Sequence, residues 1–136
     1  MKASLAAGLT TTKRYPVDKA KTIDFMGEDL RVYATPSMAR DIEYTCRNFL
    51  VEHLDAGEDS VGARIEVDHL GPTLLDMWVD VTAKIVEVDR RRVVFECEVK
   101  DALDMVGKAR HIRFVVDTAK QKERLQAKRA KVKAGK

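Results

Sequence analysis

Thr35, Glu43 and His69 are the residues whose types and places could do chemistry. Thr35 stands at a helix start, where unpaired backbone N–H groups and a hydroxyl can serve an oxyanion or a water. Glu43 follows about two helical turns later, between Ile42 and Tyr44. A carboxylate beside a buried helix face needs a hydrogen-bond partner or a raised pKa, and either suits a general base or a nucleophile. His69 closes an alternating segment just before the Gly71-Pro72 turn, at a strand end of the kind where functional groups gather. Each also has a plainer reading: Thr35 as a cap, Glu43 as a solvated helical glutamate, His69 as a packing or surface residue. His53 reads as a partner of the helix dipole at its C-terminal end, and His111, on the last strand, reads equally as structural or site-facing.

The elements that must position these residues follow from periodicity. Thr35 as N-cap and Pro36 at the first helical position predict a helix from about residue 36 to 54. Met38, Ile42, Cys46, Phe49 or Leu50, and Leu54 recur at helical spacing, and Gly57 is placed to stop it. Beyond it the period becomes two. Ala63, Ile65 and Val67 alternate with Arg64, Glu66 and Asp68, and Met77 to Val88, Val93 to Val99 and Arg110 to Val116 follow as further strands. Short connections imply an antiparallel meander. With one or two short strands before the helix, the expected architecture is α+β, an antiparallel sheet wrapped around one long central helix.

Composition bounds the function. The chain has 136 residues, enough for one domain, and no run approaches the roughly 18 apolar residues of a membrane span. A signal peptide is not supported, because the Ala3 to Leu9 run is short and lacks a cleavage site. Cys46 and Cys97 are far apart and show no CxxC spacing, which argues against zinc and for two buried thiols in a reducing cytoplasm. No metal and no phosphate-binding glycine loop is expected. The net charge of +3 is uneven: Ala119 to Lys136 holds eight basic residues against Glu123, a tail of +7 on a body of −4. The expected division is a single domain over residues 1–118 and a basic tail over 119–136. The tail reads as a solvated helix or frayed end. It lacks interleaved aromatics, so nucleic-acid binding is disfavoured.

Taken together, the ordered residues carry more than any one of them. Val32-Tyr33-Ala34-Thr35, Met38, Glu43, Ser60-Val61-Gly62 and His69-Leu70-Gly71-Pro72-Thr73 resemble the fluoroacetyl-CoA thioesterase-like family of hotdog proteins. The likeness continues through Val86–Arg91 and Val106–Arg113, covering roughly residues 30 to 117. The resemblance implies a catalytic set of Thr35, Glu43 and His69, with Gly62 supplying a backbone N–H near the acyl group and Tyr33 and Met38 lining the substrate. It implies an acyl-CoA thioesterase for a small or medium acyl group, with the CoA thioester as substrate and no cofactor, working as a homodimer or higher homo-oligomer. His69 would be general base and acid, and Glu43 either a nucleophile or the group that orients water. The acidic stretch Asp24-Phe25-Met26-Gly27-Glu28-Asp29 departs from the fluoroacetate specialist, so fluoroacetyl-CoA itself is not implied. Arg40, Arg47, Arg110 and Arg113 are candidate partners of the CoA phosphates. The rival reading is a non-catalytic hotdog module that binds an acyl-CoA or related metabolite.

Overall fold

The computed structural model describes residues 1–135; Lys136, the last basic residue of the tail, lies outside the described residues. Strands β1 (Thr10–Pro16), β2 (Glu58–His69), β3 (Trp78–Asp89), β4 (Arg92–Lys100) and β5 (Met105–Asp117) form one antiparallel sheet. Its order is β1-β3-β4-β5-β2, so the meander β3-β4-β5 is central and β1 and β2 are the edges. Helix α1 (Thr35–Val51) buries Met38, Ile42, Cys46, Phe49 and Leu50. They pack against Val79, Val81, Ala83 and Ile85 of β3 and Val93, Phe95, Cys97 and Val99 of β4. Full burial of such side chains is worth about 1.5–3 kcal/mol each, and this layer is the core. The arrangement is the expected α+β hotdog fold.

Two local expectations are corrected. The N-cap of α1 is Ala34, not Thr35, and Pro36 is the second helical residue rather than the first. The helix ends at Val51, with Leu54 buried in the turn beyond it. One strand, β1, precedes the helix, within the one or two expected.

β2 differs from its reading as a strand with one buried face. Its register against β5 shifts between Gly62 and Arg64, so Ala63 is an extra residue of a β-bulge. Gly62 therefore pairs with Arg113, and Ile65, Val67 and His69 pair with His111, Ala109 and Gly107. Ile65 stays exposed because β2 is a sheet edge.

The tail is a second helix, α2 (Thr118–Ala134), capped by the Asp117 carboxylate, which accepts from Lys120 N–H. None of its residues is buried.

Candidate active site

Thr35 and His69 meet. The first turn of α1 places Thr35 Oγ1 2.8 Å from Nδ1 of His69 at the end of β2, which explains why this hydroxyl does not cap its own helix. Burial lowers the His69 pKa from 6.5, opposed by a hydrogen bond to the Gly71 backbone. The neutral imidazole, the form that accepts a proton, is thereby favoured at neutral pH.

Glu43 sits elsewhere, two turns down the same helix. Its Oε1 lies 3.5 Å from Nη1 of Arg113. The Arg113 guanidinium is buried; its Nε donates to Ser60 Oγ at 2.7 Å and its Nη2 to the Ser60 carbonyl at 2.9 Å. Arg113 Nη1 is 3.1 Å from Nε2 of His111, whose Nδ1 is 2.8 Å from the Arg64 carbonyl. That carbonyl accepts, so His111 carries its proton on Nδ1 and receives the Arg113 donor on Nε2. Burial lowers the pKa of both His111 and Arg113. Gly62 lies over this group: a Cβ there would stand 3.3 Å from His111 Cε1 and 3.4 Å from Glu43 Oε1. The absent side chain leaves the Glu43 carboxylate approachable from β2.

An open groove of about 540 Å³ runs along this face, lined by Pro36, Ala39, Glu43, Tyr44, Ser60 and Arg113 among others. A depression of similar size, about 550 Å³, lies on the opposite face of the sheet and contains, of the candidate residues, Arg110 alone. Its lining alternates in sign across the strands, with Lys84, Glu96, Arg110 and Glu66 in register. Such a ladder is largely self-neutralising.

The remaining candidates divide. Tyr33 is buried, and its hydroxyl donates to Asp41 Oδ2 at 2.5 Å. Met38 is buried with its sulfur against Gly107. Neither lines the groove in the single chain. Arg40 and Arg47 do line it, Arg47 in an ion pair with Asp59, whereas Arg110 pairs with Glu96 on the outer face. Arg113 touches the groove only at its edge, being buried with its guanidinium taken up by Ser60, His111 and Glu43. Ser60 and Asp41 went unread as site residues; the signal for Asp41 was its place, beside Ile42, on the apolar stripe of α1. Cys46 and Cys97 are buried free thiols with sulfurs 3.5 Å apart. Among the described residues no group of three or more His, Cys, Asp or Glu is placed to hold a metal ion. Among the described residues no helix is long and apolar enough to cross a membrane.

Solved structures place this architecture among the hotdog thioesterases. A thioesterase superfamily member from Thermus thermophilus superposes with a TM-score of 0.88 at 26% identity, over 97% of this chain and 98% of that one. The model of the fluoroacetyl-CoA-specific thioesterase family matches residues 17–119, and the chain belongs to that family. It is similar to the fluoroacetyl-CoA thioesterase of Streptantibioticus cattleyicolor, at 28% identity over 94% of this chain and 97% of the relative. A crystal structure of a point mutant of a fluoroacetyl-CoA-specific thioesterase superposes at a TM-score of 0.85, with 28% identity, covering 93% of this chain and 99% of that one. The chain is a thioester hydrolase of the hotdog class.

Proposed function

We propose that the protein hydrolyses a small or medium acyl-CoA to the free acid and CoA without a cofactor, with Thr35, Glu43 and His69 as its catalytic set. The carrying observation is the 2.8 Å contact between Thr35 and a His69 whose burial favours the neutral base. Glu43 delivers oxygen to the thioester carbonyl, from its own carboxylate as a transient anhydride or from a water it orients. The Gly62 N–H stands near the developing oxyanion. With an oriented water, His69 takes a proton from that water as it attacks and returns it to the thiolate as the C–S bond breaks. With an anhydride, the thiolate leaves first. His69 then takes a proton from the water that cleaves the anhydride to free acid and Glu43, and passes it to the thiolate.

One chain does not assemble all of this. Glu43 lies about 12 Å along the helix axis from Thr35, and Gly62 lies roughly 23 Å along β2 from His69. Reacting groups must come within about 3–3.5 Å of the substrate atoms. β2 is a free edge. Antiparallel pairing of two β2 edges, centred between Ile65 and Glu66, would set Gly62 and Glu43 of one subunit opposite His69 and Thr35 of the other. The working form is accordingly a homodimer with two composite sites, which also removes an exposed sheet edge. Tyr33 and Met38 then lie behind the acyl end of the site rather than at its open mouth.

The catalytic unit is residues 1–118, with α2 dispensable for turnover. A cytoplasmic setting suits the two unpaired thiols. The test is thiol release from acyl-CoAs of increasing chain length by the purified protein and by His69→Ala. Turnover lost in the variant is expected; no release from any acyl-CoA would overturn the reading.

A further inference from the structure

Asp41 lies on the buried face of α1 at 4% exposure, between the core residues Met38 and Ile42 on one side and Thr45 on the other. A carboxylate in such a place is strongly unfavourable unless paired and hydrogen-bonded. Its partners are fully specified. Lys21 Nζ stands 3.1 Å from Oδ1 and 3.2 Å from Oδ2, and the Tyr33 hydroxyl donates to Oδ2. Lys21 also lies 4.7 Å over the ring of Tyr15, whose hydroxyl meets Thr45 Oγ1 at 2.8 Å. Thr45 in turn donates to the Asp41 carbonyl at 2.7 Å.

The network reaches the reacting end of the molecule through Tyr33. That ring stands edge-on to the His69 imidazole, centroids 6.2 Å apart at 71°. The Tyr33 N–H donates to the Thr73 carbonyl at 2.8 Å, tying it to the chain just past His69. Two residues on, Thr35 holds Nδ1 of the same imidazole. The ring of His69 is therefore fixed by two neighbours in one short segment. That segment is anchored to α1 by the Asp41 carboxylate and to the arm after β1 by Lys21.

A buried ion pair adds little net stability compared with well-packed apolar side chains, but its directional bonds set geometry. We infer that Lys21, Asp41 and Tyr33 are positioning residues for His69. The ion pair fixes the Tyr33 hydroxyl, and the Tyr33 ring fixes the plane in which the imidazole meets Thr35. The inference rests on the thioesterase reading for its kinetic consequence and on geometry alone for its spectroscopic one.

The test pairs kinetics with imidazole NMR on the full chain. Tyr33→Phe removes one oxygen and keeps the ring, so it carries the test even if Asp41→Asn fails to fold. Tyr33→Phe and Lys21→Met are each expected to lower kcat on an acyl-CoA by roughly tenfold or more, the scale of a small misplacement. KM should stay within about twofold, because neither residue lines the groove. Lys21→Arg, which keeps the cation, should restore kcat. The double variant should be no worse than the poorer single one, since both break the same chain of contacts. The 15N signals of His69 should report one tautomer in the wild type and a mixture in Tyr33→Phe. A lowered melting temperature with kcat and tautomer unchanged would overturn the inference. If the wild type releases no thiol the catalytic reading fails, and an unchanged His69 tautomer would separately overturn the positioning role.

Discussion

The chain contains two helices of 17 residues with opposite fates. α2 is the better helix by composition, rich in Ala, Lys, Arg and Gln, yet it buries none of its residues. α1 contains Pro36, Asp41, Ile42, Tyr44, Thr45, Cys46 and Phe49, mostly weaker helix formers, and buries seven residues. Propensity accounts for α2 and packing accounts for α1. The like charges at Lys120, Arg124 and Lys128, each one turn apart, further oppose α2. The helix that depends on its surroundings is the one that can position chemistry.

The largest effects should come from α1 and the strand end it meets. Glu43→Gln and His69→Ala are each expected to lower kcat/KM by about 10²–10⁴-fold, read by thiol release, while the fold stays intact by circular dichroism. A loss below tenfold in either would remove that residue from the catalytic set.

Next, Ile42→Ala should destabilise the protein by about 2–5 kcal/mol in denaturant melts, because the site is fully buried and closely packed. Leu125→Ala on α2 should change stability by about 0.5 kcal/mol or less. Equal costs would erase the contrast between the helices.

Titration gives a smaller, signed effect. Hydrogen bonding to Arg47 of α1 lowers the Asp59 pKa below 3.8. The stability this contributes is present above the unfolded value and is lost as pH falls through the lower native one. Acid melts of Asp59→Asn should therefore be flatter below about pH 4 than those of the wild type. For catalysis, kcat/KM should rise with pH through a midpoint below 6.5, as the neutral His69 forms. A midpoint above 6.5 would contradict the buried imidazole. The smallest effect belongs to removal of residues 119–136. Turnover should stay within about twofold and core stability within about 0.5 kcal/mol, since α2 has no buried residue.

The helix and the meander were legible because their periods are strong and their connections short. What escaped the reading depends on register and on partners distant in sequence. Thr35 reads as a cap because its own helix is adjacent in sequence, whereas the histidine it bonds lies 34 residues away. Arg113 reads as a surface charge by type; its burial follows from sharing a face with Gly107, Ala109, His111 and Val115, a parity visible once β5 is in register. Alternation in β2 is the same for a covered strand and for an edge, so Ile65 gave no sign of its exposure. Gly62 reaches Glu43 only because the bulge at Ala63 resets the phase of the strand.

Gly107 has a mechanical meaning. It is the register partner of His69, and a Cβ there would stand 2.5 Å from the sulfur of Met38, one helical turn from Thr35. The missing methyl acts as a shim of zero thickness between helix and sheet. Gly107→Ala would first displace the flexible thioether of Met38, and only the part of that displacement the buried side chain could not absorb would reach the first turn of α1, where Thr35 holds His69.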